Sequence, residues 1–63
     1  MKTYKRICIQ SDHIEAEDGD RQDIIRGREY ITSEEKDGMV TVFSTFWERF
    51  PVDRFAGEIL FTP

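Results

Sequence analysis

The chain has very few of the residues from which small proteins build disulfide frameworks or zinc sites. Its 63 residues include one cysteine, Cys8, and one histidine, His13. A structural zinc site needs four such ligands, and an internal disulfide needs a second cysteine. Both cross-links are therefore excluded, and a lone thiol is typical of proteins in the reducing cytoplasm. We predict that Cys8 is a small buried hydrophobic residue of a strand.

Long hydrophobic runs are also absent. Behind Lys2, Lys5 and Arg6 the apolar run covers only residues 7–9, which is too short for a signal peptide or a membrane span. We therefore expect a soluble cytoplasmic protein without a membrane partner. Residues 1–63 are predicted to form a single domain, which leaves no room for a deep pocket between lobes. A core of this size supplies little net stability, so self-association stays open.

The sequence contains no recognisable catalytic arrangement. Nothing in the pattern brings the thiol of Cys8 near His13 as a base, and no glycine-rich phosphate loop is present. We therefore predict no catalytic residues, no cofactor and no enzymatic activity.

Acidic residues are concentrated in one segment. Residues 12–23 carry a net charge of −5, because one arginine, Arg21, stands against six acids: Asp12, Glu15, Glu17, Asp18, Asp20 and Asp23. The whole chain has a net charge of −4, so the remainder carries +1. Nucleic acid is thus an unfavourable partner, because its recognition needs a basic surface. The acids do not have the spacing of a calcium-binding loop, and no metal site is predicted.

The acidic segment is predicted to be a long loop. It breaks any regular period, Gly19 marks a turn within it, and only Ile14 and Ala16 offer apolar contact with the rest of the domain. Loops of this length in compact domains are commonly functional or mobile. We expect this loop to be poorly ordered and to act through its charge.

Five strands are predicted, at residues 4–10, 28–35, 39–43, 46–50 and 58–61. Gly27 and Gly38 mark turns that need a positive φ. Around Gly38, a three-residue loop would put Thr32 on the same face as Val42, whereas a two-residue turn would put it on the face of Phe43. We favour the three-residue loop, because it puts the most β-branched strand face against Tyr30 and leaves Ile31 and Phe43 on the other face.

The segment 50–55 predicts where the sheet turns back on itself. Pro51 fixes φ near the value of a short 3-10 turn, and Phe50 and Phe55 flank that turn with rings that require burial. The predicted core consists of Tyr30, Val40, Val42, Phe46, Phe50 and Phe55. Strand alternation then turns Trp47 and Arg49 outward, although a lone tryptophan in so small a domain is also commonly a core residue.

This order of elements resembles the SH3-like small β-barrel, of the kind found in very small bacteriophage and prophage proteins. The likeness covers residues 4–61 and depends on Gly27 with Tyr30, on Gly38, and on Pro51 with Phe55. It implies an all-β, five-stranded SH3-like barrel with a long acidic first loop and a short 3-10 turn before the last strand. The first strand and the single tryptophan differ from those of SH3 domains that bind polyproline through a ladder of aromatic rings.

We therefore expect a non-catalytic binding or regulatory module of a phage or mobile element that engages another protein. Tryptophan is enriched at binding hot spots, and a cluster of acids steers a basic surface toward its site. The predicted partner-binding residues are Trp47, Arg49, Asp12, Glu15, Glu17, Asp18 and Asp20. Two alternatives stay open: a self-associating barrel in a larger assembly, and an acidic decoy for a nucleic-acid-binding host protein.

Overall fold

The computed structural model describes residues 2–15, 17–44 and 47–63, and it is all-β, as predicted. The strands are β1 (Thr3–Cys8), β2 (Asp12–Glu15), β3 (Arg21–Ile24), β4 (Glu29–Ser33), β5 (Met39–Phe43), β6 (Trp47–Pro51) and β7 (Phe55–Thr62). A 3-10 turn at Val52–Arg54 joins β6 to β7. Within the described ranges, no helix has the length and apolar character needed to cross a membrane.

Five antiparallel strands form one sheet in the order β6-β5-β4-β1-β7. They correspond to the five predicted strands, and the bounds of β5 agree with the prediction. Phe46, predicted to open the fourth strand and to join the core, lies outside the described residues. In the described part of the chain no pairing joins β6 to β7, so these two strands are the edges of the sheet.

The prediction of a long loop at residues 12–23 is wrong. β2 and β3 pair as an antiparallel hairpin in which Ile14 lies opposite Gln22. The two strands form because buried and exposed side chains alternate along them, a pattern that the many acids make hard to recognise in the sequence. Ile14, Gln22 and Ile24 point inward, and exposed polar or charged residues alternate with them. Ile24 is 1 % exposed and belongs to the core, so the hairpin is held by more apolar contact than the sequence indicates. Ala16, the other apolar contact that we predicted, is outside the described residues.

The turn between β4 and β5 is the alternative that we did not favour. Lys36 and Met39 exchange backbone hydrogen bonds of 2.9 and 3.0 Å across a two-residue turn. Asp37 and Gly38 both have positive φ, at 55° and 77°, as a type I′ hairpin turn requires.

The register that we favoured is nevertheless present, because Thr32 lies opposite Val42. Between the turn and this pair, the β4 side contains one residue more than the β5 side, which is the count of a β-bulge. The hydroxyl of Ser33 accepts the backbone N–H of Thr41 at 2.9 Å in this irregular stretch. The bulge therefore combines the two-residue turn with the strand faces expected from the longer loop.

The core lies between the five-stranded sheet and the hairpin. Its buried hydrophobic residues are Cys8, Ile24, Val40, Val42, Phe50 and Phe55. The prediction is confirmed for Cys8, Val40, Val42, Phe50 and Phe55. Tyr30 is half-buried against this cluster, and its ring stands edge-on to Phe55 at 6.3 Å.

The corner before β7 forms as the sequence predicts. Pro51 has a φ of −58° and precedes the 3-10 turn. The N–H of Val52 donates to the carbonyl of Gly38, and the N–H of Ile9 donates to the carbonyl of Arg54, both at 2.8 Å. These bonds fix the corner against the β4–β5 turn and the end of β1, so that β7 runs back along β1.

A buried arginine connects three strands of the sheet. Arg6 on β1 is 5 % exposed, and its Nε donates to the hydroxyl of Thr32 on β4 at 2.8 Å. Its guanidinium lies 4.0 Å from the carboxylate of Glu58 on β7 and over the ring of Tyr4. Because a buried charge needs partners, these contacts restrict how β1, β4 and β7 can lie relative to one another.

Candidate functional site

The outer face of the sheet carries a row of mostly apolar side chains. One residue from each strand contributes, and the outer apolar row is Trp47, Phe43, Ile31, Lys5 and Ile59. Phe43 lies opposite Trp47, and Lys5 lies opposite both Ile31 and Ile59. The register of β4 and β5 brings Ile31 level with Phe43. A single charged residue thus interrupts an apolar row that crosses the whole sheet.

Trp47 is the most exposed large hydrophobic residue of the described chain, at 71 %. Its ring stands edge-on to Phe43, with centroids 5.2 Å apart. The interpretation of Trp47 as a core residue is therefore wrong, and the predicted alternation that turns Trp47 and Arg49 outward is confirmed. An indole in this position is accessible to an incoming surface.

A shallow pocket of about 550 Å³ lies beside this row on the same face. Arg49 lines it, together with Lys2, Lys36, Glu34, Glu35, Asp37, Ser33, Met39 and Thr41. In the described part of the chain, none of its six charged side chains forms an ion pair. The pocket therefore offers cations and anions that are available to a partner.

The charge within the outer apolar row is already partnered. The ammonium of Lys5 lies 3.9 Å from the carboxylate of Glu29 and 5.3 Å from the centre of the Phe61 ring. Apolar surface continues from there to the edge of the sheet, where Ile59, Leu60 and Phe61 are 63, 52 and 53 % exposed.

Among the predicted acidic site residues, Asp12 makes contacts that stabilise the fold. Its carboxylate accepts the backbone N–H of His13 at 2.8 Å and lies 3.2 Å from the guanidinium of Arg54. The hydrogen bond from His13, followed by the charge and hydrogen bond of Arg54, lowers the pKa of Asp12 below its usual value. Asp12 thus anchors the base of the hairpin to the corner before β7.

The other predicted acids, Glu15, Glu17, Asp18 and Asp20, are exposed along the hairpin and its turn. Glu15 lies opposite Arg21, whose guanidinium forms a 2.8 Å ion pair with Asp23. This neighbour raises the pKa of Arg21. Among the described residues, no hydrogen bond, ion pair or ring contact joins these acids to Trp47 or Arg49, so the structure does not bring the two halves of the predicted surface into contact.

The residues considered for catalysis are also separate. The thiol of buried Cys8 donates to the carbonyl of Gln10 at 3.2 Å, whereas His13 is exposed on β2. No group of three or more histidine, cysteine, aspartate or glutamate side chains within the described ranges is placed to hold a metal ion.

Sequence reasoning missed the exposure of β7. The run Ile59-Leu60-Phe61 predicts a strand correctly, but its apolar character gives no indication that the strand lies at an edge and in water.

No protein-family model, curated protein or solved structure matches this chain.

Proposed function

We propose that this protein is a non-catalytic binding module, built as an SH3-like barrel of a bacteriophage or mobile element, that engages another protein in the bacterial cytoplasm. The order of elements supports the barrel: a hairpin between the first two strands of the sheet, a tight turn between the next two, and a 3-10 turn before the last. This is the plan that the resemblance implies, with a hairpin in place of the loop.

The observation that carries the proposal is the exposed ring of Trp47. A tryptophan side chain can bury roughly 150–250 Å² in a contact, which is a large part of the gain that a small interface can supply. In this chain the ring makes one edge-on contact with Phe43 and otherwise faces water. A partner surface that covers Trp47 therefore recovers apolar burial that the fold alone does not achieve.

Specificity comes from the pocket beside Trp47. Polar and charged groups at the rim of an interface fix the orientation of a partner, while the aromatic centre supplies affinity. Arg49 connects Trp47 with the pocket, since it follows Trp47 on the same strand face and lines the pocket. We assign the acidic hairpin a separate role: its net negative charge attracts a basic protein surface before contact is made.

Capture from a lysate of the host bacterium tests this function. The immobilised wild-type protein should enrich a partner that is reduced at least about ten-fold on the Trp47→Ala variant, because a buried hot-spot aromatic commonly supplies 2 kcal/mol or more. The free energy of unfolding of Trp47→Ala should stay within about 1 kcal/mol of wild type, because only the ring contact with Phe43 is lost.

Ile25→Ala is the matched control. Ile25 is an exposed large hydrophobic residue, at 43 %, and it is outside the outer apolar row. Its substitution should leave capture unchanged. If Trp47→Ala and Ile25→Ala retain every captured protein equally, the tryptophan is not an anchor. Steering by the hairpin is checked on the purified partner, whose association rate should fall as salt is added.

A further inference from the structure

β7 is an edge strand with little protection. It has eight residues, pairs only with β1 in the described ranges, and is exposed from Ala56 to Thr62. It contains no proline and a single charged residue, Glu58, whereas natural edges are commonly blocked by lysine, proline or a covering element. Its three exposed hydrophobic residues, Ile59, Leu60 and Phe61, are consecutive.

Two register shifts limit how much of this edge can form a ladder. β7 carries one extra residue between its pairs with Lys5 and Ile7, and another between its pairs with Thr3 and Tyr4. Bulges bend an edge strand and shorten the stretch that another strand can join. The second shift is at Phe61, within the run of hydrophobic residues, so regular backbone pairing with a partner strand is limited to a short stretch around Leu60 and side-chain contact supplies much of the interaction.

This half of β7 is complementary to itself. In an antiparallel pairing with a two-fold axis at Leu60, each Ile59 lies against the Phe61 of the other copy, and both side chains are on the face of the sheet that carries Lys5. No like charges lie opposite each other in this register, so the pairing avoids the main cost of a symmetric contact between acidic proteins. The carboxylate of Glu58 is, in addition, within 4.0 Å of the guanidinium of Arg6 in its own copy.

The anchored base of the acidic hairpin lies far from this contact. Its base is anchored through Asp12 and Arg54 next to Phe55, at the opposite end of β7 from Leu60. Five residues of extended strand separate that end from the axis by roughly 15 Å, and the two anchors in a symmetric pair lie about twice as far apart. Both distances exceed the screening length of about 10 Å at 0.1 M salt.

From these observations we infer that the protein forms a two-fold symmetric dimer in which β7 of one copy pairs with β7 of a second copy around Leu60. The dimer joins two five-stranded sheets along their exposed edges. It leaves Trp47 free on β6, at the far side of each sheet, so the proposed partner site and the dimer contact can succeed or fail independently.

Sedimentation equilibrium of the purified protein tests the dimer. Wild type should show twice the chain mass, with dissociation to monomer on dilution over a roughly hundred-fold range of concentration. The double variant Ile59→Thr, Phe61→Thr keeps side chains that favour strands but removes the apolar contact, and it should be monomeric. Trp47→Thr, on the opposite edge strand, is the matched control and should dimerise like wild type.

A cysteine at the axis gives a second, geometric test. Directly opposite residues of an antiparallel pair have Cα atoms about 4.5–5.5 Å apart, within the range of a disulfide. Leu60→Cys should therefore form covalent dimers on mild oxidation, whereas Trp47→Cys should not. Far-UV circular dichroism of each variant confirms that it is folded. A wild-type protein that is monomeric throughout, a double variant that still dimerises, or equal cross-linking at positions 47 and 60 would each overturn the proposal.

Discussion

The two edge strands of the sheet, β6 and β7, differ in how they are attached to the rest of the protein. β6 is short, ends at Pro51, and turns Phe50 into the core, where that ring is 1 % exposed. β7 is longer, and only its first residue, Phe55, is buried. Both edge strands are paired along their backbones, but β6 is in addition held by the packing of Phe50, whereas β7 beyond Phe55 depends on its pairing with β1.

The difference shows how a small domain distributes a limited number of hydrophobic residues. On β6, alternation is strict, and Trp47 and Arg49 are its exposed residues, so a single exposed hydrophobic residue, Trp47, stands out on this strand. On β7, the hydrophobic residues are consecutive, and no alternation can bury them all against one core. A lone exposed aromatic ring fits recognition of a partner, whereas a stretch of exposed strand fits association along an edge.

Truncation of a large side chain on each edge should produce the largest contrast. Phe50→Ala should lower the free energy of unfolding by about 3–5 kcal/mol, because it leaves a cavity in the core. Leu60→Ala should cost less than about 1 kcal/mol at a protein concentration low enough for the monomer, because Leu60 is half exposed. Urea denaturation measures both. Equal losses would mean that β7 contributes to the core as much as β6 does.

A smaller effect should follow from the backbone of β7. Gly57 has a φ of 77°, and a Cβ at this position would meet no atom within 4 Å. Gly57→Ala should therefore destabilise the protein by about 1–2 kcal/mol through backbone strain alone. Gly57→Asn is the control, because asparagine tolerates the left-handed region better, and it should cost less in the same denaturation measurement. If asparagine is as costly as alanine, strain at φ is not the reason for glycine here.

The sequence predicts the positions of both edge strands along the chain, but it predicts which side chains face the core only for β6. The prolyl corner and the β-branched run of β5 are local signals, and the structure confirms both. The acidic segment was interpreted wrongly because its inward positions include Gln22, a polar residue that an alternation search treats as solvent-facing. The two-residue turn at Asp37 and Gly38 is the alternative that we did not favour, because without a bulge it puts Thr32 on the face of Phe43, and the bulge that restores the expected faces leaves no sequence signal.

The candidate site was predictable to a similar extent. Trp47 and Arg49 follow from alternation once Phe50 is buried. The pocket beside them could not be predicted, because it collects residues from three strands and from the stretch before β1. The exposure of β7 depends on where the sheet ends, and strand order is a property of the whole fold that no local pattern contains.

The corner between the two edges gives the last and smallest effect. The folded-state pKa of Asp12 is lowered by the hydrogen bond from His13 and by Arg54, so the unfolded chain binds this proton more readily. The contribution of Asp12 to stability is therefore present above the unfolded pKa of about 3.8 and is lost as the pH falls through the lower folded value. Asp12→Asn keeps the size and the acceptor for His13 but removes the charge. Because the Asp12 side chain is 31 % exposed, the difference in unfolding free energy between wild type and variant should be under about 1 kcal/mol near neutral pH and should shrink below pH 4.

Asp53→Asn is the matched control: Asp53 binds the same guanidinium at 2.8 Å but is 76 % exposed, so its loss should change stability less. Denaturation across a pH series decides the question, and a difference for Asp12→Asn that grows on acidification would show that the hairpin is not anchored to this corner by charge.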